Sequence, residues 1–295
     1  MNQIELLQYL IENILSSGYN SNVIYAILQQ HSSQLTLEFA QTLRSWATTI
    51  LPELAPEQAQ NLAVILKFLS DLLLYFPFGD RSANLAIAIA GYDSALSVLT
   101  KTKFPQDYGE IQINLGIAYE EDPLADFGEK WEIAINCYEN AAQIFTRQVY
   151  PEKWAAIQEN LGNAYRNRQK EDQARNFQQS INYYQNALQI LTPHQQPKQW
   201  GITQHNLGLA YLQLSTLGLE ECLETAIHHF EEALQTLTKA IYPNLWALCQ
   251  MSLGNAYAAK LRGNPYENYE KAQQYYQQAL SIYTPQTNPY YYQQV

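Results

Sequence analysis

The sequence predicts an all-α solenoid of antiparallel helix pairs with a 46-residue repeat. Three observations predict it. The triplet Asn-Leu-Gly stands at Asn114-Leu115-Gly116, Asn160-Leu161-Gly162 and Asn206-Leu207-Gly208 and returns as Ser252-Leu253-Gly254, with a step of 160 − 114 = 46 residues. A period of this size marks stacked repeats. The residues inside each step form two helical stripes: Trp154, Gln158, Leu161 and Tyr165 in the first, Ser180, Tyr184, Ala187 and Leu191 in the second. Such spacings put each set on one helix face. Small residues at Gly162 and Ser180 allow the two helices close approach, with Tyr165 and Tyr184 filling the space beside them.

Along the chain, residues 3–16 predict a helix with Ile4, Leu7, Ile11 and Ile14 on one face, ended by Gly18. A second helix is expected over 22–31 and a third over 35–51, stopped by Pro52. Trp46 falls one period before Tyr92, which marks the third helix as a decayed repeat. Residues 1–58 are read as an N-terminal helical cap shielding the first interface of the array. The array itself is expected over 59–287, about five units with the first degenerate. In that first unit Leu62–Tyr75 takes the first-helix slot, with Phe68 and Ser70 where Asn114 and Gly116 stand one unit later. The apolar run Leu62–Phe78 is interrupted by Lys67, Ser70, Asp71 and Pro77, so it reads as a buried core helix and not a membrane span.

From Pro105 onward the units are regular. Pro105, Pro151, Pro197, Pro243 and Pro289 open them, where a missing N–H loses nothing in the first helical turn. Tyr108, Trp154, Trp200, Trp246 and Tyr292 follow three residues later, then glutamine, Leu-Gly and Ala-Tyr. The second helices carry Ala88, Ala134, Ser180, Ala226 and Ala272, then an aromatic four residues on, then alanine three further. Residues 288–295 match the opening of another unit. They are expected to be its truncated start, with more repeats and an effector domain following.

The phrases Leu161-Gly162-Asn163-Ala164-Tyr165 and Ala226-Ile227-His228-His229-Phe230-Glu231-Glu232-Ala233 resemble the tetratricopeptide repeat. The usual unit is about 34 residues. Here both turns, Tyr119 to Ala134 and Ala141 to Gln158, are lengthened, and glutamine stands in the usual tryptophan slot. This long variant is similar to kinesin-light-chain repeats. It is more similar to cyanobacterial arrays often fused to a caspase-like peptidase domain of the CHAT type, through Phe76-Pro77-Phe78-Gly79-Asp80-Arg81 and Asn84-Leu85-Ala86-Ile87-Ala88-Ile89-Ala90. The resemblance covers residues 60–295 strongly. It implies a right-handed superhelix whose first helices line a concave face, where asparagines hold a ligand's backbone.

The candidate peptide-binding residues follow from that placement. Asn114, Asn160 and Asn206 recur, and Asn163 and Asn255 sit one position after glycine. An amide both donates and accepts, which suits a peptide bond. The alternative is that these asparagines bond to neighbouring helices and fix the array. The variable inner positions would set specificity: Ile113, Ile117 and Glu120; Glu159, Asn163 and Arg166; His205, Leu209 and Leu212; Met251, Asn255 and Ala258.

A net charge of −11 disfavours nucleic acid and anionic membrane surfaces and is compatible with a basic or neutral peptide. Cys137, Cys222 and Cys249 form no Cys-x-x-Cys pair, and adjacent His228 and His229 point about 100° apart on a helix. No metal ligand set or cofactor is expected. There is no P-loop, nucleophile elbow or zincin motif, so no catalytic residue is assigned. Glu5 without a basic n-region is not a signal peptide, and a cytoplasmic location is expected. The expected function is a protein–protein interaction module that senses or binds a partner for a larger regulatory protein. The alternative is a structural scaffold or self-association module.

Overall fold

The computed structural model describes residues 1–295 and contains fourteen α-helices and no strand. The chain divides into two compact units, Met1–Thr146 and Arg147–Val295.

The first unit holds α1 (Gln3–Ser16), α2 (Ser21–Gln30), α3 (Leu37–Ile50), α4 (Pro56–Leu74), α5 (Arg81–Leu96), α6 (Pro105–Glu121) and α7 (Phe127–Ala142). Helices α4 and α5 pair, α6 and α7 pair, and α5 also packs on α6. Helix α3 lies against α5, and α1 against α3 and α4. The buried face of α1 is Leu6, Leu7, Leu10 and Ile14, whereas Ile4 is 46% exposed. Leu7, Leu10 and Ile14 form the i, i+3, i+7 stripe, which leaves Ile4 overhanging at the N-terminal turn. Helix α4 starts at Pro56, six residues before the predicted Leu62, because Pro56 takes the N1 position and Gln58 Oε1 accepts the Ala55 N–H at 3.3 Å.

The second unit holds α8 (Pro151–Asn167), α9 (Gln173–Ala187), α10 (Pro197–Thr216), α11 (Glu221–Leu234), α12 (Pro243–Ala259), α13 (Pro265–Leu280) and the six-residue α14 (Pro289–Gln294). Its pairs are α8/α9, α10/α11 and α12/α13, and successive pairs meet through α9 with α10 and α11 with α12.

One contact sets the closeness of four of the five pairs, α4/α5 having Ser70 in the glycine slot. A Cβ built on Gly162 would lie 2.5 Å from the Tyr184 ring, and Tyr138 over Gly116, Phe230 over Gly208 and Tyr276 over Gly254 repeat the contact. The Ser180 hydroxyl donates to the Gly162 carbonyl at 2.7 Å, joining α9 to α8 at the same point.

The turns within pairs are tied by a buried asparagine. Asn84 Nδ2 donates to the Phe78 carbonyl at 2.8 Å, Asn176 to Lys170 at 2.8 Å and Asn268 to Arg262 at 2.9 Å. In α7 the slot holds Lys130, whose ammonium donates to the Glu120 carbonyl at 2.9 Å. The second helices start under side-chain caps from Asp80, Asp126, Asp172 and Asn264. In α11 both devices are missing. Gly218 stands in the capping slot and Cys222 in the asparagine slot, so α10 runs on to Thr216 and α11 starts uncapped at Glu221.

Candidate binding surface on the first helices

Each first helix turns one stripe toward solvent. In the second unit this is Ala156, Asn160, Asn163 and Asn167 on α8, Ile202, Asn206, Leu209 and Gln213 on α10, and Leu248 and Asn255 on α12. The three helices are neighbours. The stripe mixes amides with aliphatic side chains, and no charged side chain falls on this part of it.

Beneath it a polar seam joins successive first helices. Tyr184 Oη donates to Asn163 Oδ1 at 2.6 Å, and Asn206 Nδ2 donates to the same oxygen at 3.3 Å. The first unit repeats this with Asp71, which accepts from Tyr92 and from Asn114, both at 2.8 Å. In the next register Leu209 replaces the acceptor, Phe230 lacks the hydroxyl and Ser252 replaces the asparagine. There the seam is made by His205 Nε2 and Ser252 Oγ, 3.0 Å apart. In that register all three members of the triad are replaced, whereas at Ile117 only the acceptor is lost and Tyr138 and Asn160 are kept.

Glu159 and His205, grouped by sequence with the exposed inner positions, do not face the stripe: they are 6% and 4% exposed. Their slot precedes the asparagine and turns into the seam between first helices. The Glu159 carboxylate accepts from Gln199 Nε2 at 2.7 Å and from the Thr203 hydroxyl. Burial raises its pKa, partly offset by these two donors. Burial pushes the His205 imidazole down to about 4, helped by the Arg166 guanidinium. The same slot in the first unit holds Lys67, 2.9 Å from Glu110. Burial works against its charge, but Glu110, Asp71 and Asp107 outweigh burial and hold its pKa above the ordinary lysine value.

Of the other candidates, Leu209 and Ile117 are half-buried and apolar, and Arg166 is half-buried in the last turn of α8. Glu120 lies beside Tyr138, whose phenol is raised well above its ordinary value by burial and then by that carboxylate. Asn255 is exposed and its Oδ1 accepts from Tyr276 Oη at 2.8 Å. The side chain of Asn160 is half-exposed and makes no hydrogen bond within the chain.

The asparagines therefore separate into two kinds. Asn206→Ala is expected to destabilise the protein by about 0.5–1.5 kcal/mol, the ordinary worth of one such bond, whereas Asn160→Ala leaves stability unchanged. Urea titration of the two variants beside the wild type checks this.

No group of three or more His, Cys, Asp or Glu residues is placed to hold a metal. Cys137 and Cys249 are buried, and burial pushes both thiols up to about 12. No helix is long and apolar enough to cross a membrane. No family model matches the chain, and no curated protein matches it.

Proposed function

We propose that the chain is a protein-interaction module: a tetratricopeptide-type array, wound as a right-handed superhelix, that binds a protein segment along the stripe of its first helices. The observation that carries this is the uncharged stripe of amide and aliphatic side chains across α8, α10 and α12. Packed helices lie about 8–10 Å apart and an extended chain advances about 3.3 Å per residue. Amides on successive helices thus meet roughly every third peptide unit of a bound strand. Ile202 and Leu248, one repeat step apart, offer apolar contact to the side chains between those units. The tetratricopeptide assignment is supported by first helices opening at prolines 46 residues apart (197 − 151 = 46) and by the ring-over-glycine contact inside the pairs from α6/α7 onward. With a net charge of −11 the favoured partner is a neutral or basic segment. The resemblance to arrays fused to effector domains makes the module the sensing arm of a larger cytoplasmic regulator.

The second reading, a scaffold or self-association module, is favoured by the seam. Asn114 and Asn206 are engaged by Asp71 and Asn163, inside the array. If ligand contact is made, it falls to Asn160, Ile202 and Leu248. The variant Ile202→Asp places a charge on the half-exposed middle of the stripe. Crosslinked partner segments recovered with the wild type are expected to fall at least about tenfold with this variant at unchanged melting temperature. Equal recovery from both, or growth in particle size with concentration and no recovered segment, rejects the binding reading in favour of the scaffold.

A further inference from the structure

The first helices of the second unit carry a second row beside the stripe. It is Arg166 on α8, Leu212 on α10 and Ala258 on α12, one repeat step apart (212 − 166 = 46). Each stands three residues, nearly one helical turn, after the stripe slot of Asn163, Leu209 and Asn255. Packing of the array does not dictate this row, since a cation, a branched aliphatic and a single methyl group all occupy it. Leu212 is half-buried and Ala258 is exposed.

Arg166 is the member that the chain leaves unsatisfied. Other half-buried cations have carboxylate partners: Lys67 with Glu110 at 2.9 Å, Arg168 with Glu171 at 3.1 Å and Lys260 with Glu224 at 2.7 Å. Arg166 has no ion pair, and its Nε, closed off from water, finds no acceptor. A place in the last turn of α8 suits a cation, because the carbonyl end of a helix attracts positive charge. That attraction is satisfied by a guanidinium standing in water. It gives no reason for a buried N–H without an acceptor, which costs free energy. The charge also reaches α10, where it helps to lower the pKa of His205. Arg166 thus lies on the side of α8 that faces α10, beside the path of a strand crossing from one helix to the other.

We propose that Arg166 and Leu212 select the segment bound along the stripe, Arg166 taking a carboxylate and Leu212 an aliphatic side chain three residues away from it. This rests on the peptide-binding reading of the stripe and adds the identity of the segment. The terminal nitrogens of a guanidinium donate to both oxygens of a carboxylate together. Leu212 and an aliphatic partner remove apolar surface from water. The spacing of three follows from helices about 8–10 Å apart and a strand advancing about 3.3 Å per residue. One carboxylate in an otherwise neutral or basic segment is compatible with the net charge of −11, because exposed charges beyond about 10 Å are screened at ordinary salt. The carboxylate belongs to an Asp or Glu side chain or to a chain end.

The probe is an array of nonapeptides attached through their N-termini and amidated at the other end, incubated with the dye-labelled full chain. Positions 4 and 7 hold leucine paired with Glu, Gln or Lys, in both orders, and the remaining positions are randomised. One of the two Glu orders is expected to retain the wild type roughly tenfold better than its Gln counterpart, as for a hydrogen bond to a charged group. The order that does so gives the direction of the strand. A parallel set ends at position 7, with leucine at position 4 and the terminus either free or amidated. A preference for the free terminus in that set, without one for Glu, assigns the carboxylate to a chain end. Arg166→Gln removes the preference, and Arg166→Glu transfers it to the Lys peptides. A transferred preference cannot come from an unfolded protein, so the reversal also controls for folding. Equal retention of Glu and Gln peptides in both orders, together with equal retention of free and amidated ends, overturns the proposal. A preference that survives Arg166→Gln overturns it as well. Retention of no peptide of any sequence defeats the stripe itself and this proposal with it, whereas retention without regard to the carboxylate, lost on Ile202→Asp, defeats this proposal alone.

Discussion

Gly162→Leu is expected to lower the stability of the second unit by about 3 kcal/mol, toward the upper end of the range for overpacking a core. The first added carbon alone would sit 2.5, 2.7 and 2.9 Å from three atoms of the Tyr184 ring. That ring cannot retreat. It is fully buried, its hydroxyl is held by Asn163 at 2.6 Å, and its opposite side packs in the cluster with Leu207 and Ala210. Helix propensity works the other way, since replacing a mid-helix glycine recovers somewhat under 1 kcal/mol. The steric term is the larger. Gly162→Ala, with one carbon to place, is expected to lose roughly 1 kcal/mol net. Ala156→Leu, on the solvent-facing stripe of the same helix, is the control and shifts stability little. Adding Tyr184→Leu to Gly162→Leu should restore part of the loss by opening the space the ring held. Thermal and urea unfolding of the four variants decide the matter: a Gly162→Leu protein as stable as the Ala156→Leu control contradicts the ring-over-glycine account of the pair.

Much of this was legible in the 46-residue step. The step placed the prolines that open α6, α8, α10, α12 and α14, and it placed a tyrosine or phenylalanine opposite each glycine. It did not show where Glu159 and His205 point. A helical wheel separates buried from exposed faces by hydrophobicity, and both residues are polar side chains turned inward to partners on the next first helix, Thr203 and Ser252. The asparagine ties in the turns were missed although their signal was present: Asn84, Asn176 and Asn268 stand 92 residues apart (176 − 84 = 92), two steps of the repeat. Alternation with Lys130 and Cys222 hid them from a search for a residue present in every unit. The late start of α11 had a visible cause as well, Gly218 in a slot held elsewhere by Asp or Asn.

Acid is expected to weaken the second unit through its histidines before its carboxylates are titrated. His205 and His229 each have their pKa lowered to about 4, in both cases chiefly by burial, with Arg166 adding to the effect on His205 and His228 to that on His229. An imidazole that stays neutral in the fold but binds a proton near 6.5 when unfolded makes the unfolded state the better proton acceptor. Its contribution is therefore complete above about pH 6.5, falls as pH drops toward 4, and is exhausted once both states are protonated. At about 1.4 kcal/mol per pH unit the loss attributable to His205 approaches roughly 3 kcal/mol by about pH 4. His229, half-buried and hydrogen-bonded to Gln204 at 2.8 Å, loses less because water screens it. Glu159 acts in the opposite sense, since its raised pKa lets the folded state take up a proton first. The variant His205→Met separates the terms. Methionine already fills the same slot one unit later, at Met251, so the side chain fits the register while nothing titrates. Unfolding free energies measured from about pH 7.5 to 4.5 should fall less steeply in His205→Met than in the wild type, by close to one proton's worth of slope between about pH 6 and 5. Parallel curves would mean that water reaches His205 in the folded protein, and the buried seam between α10 and α12 would have to be redrawn.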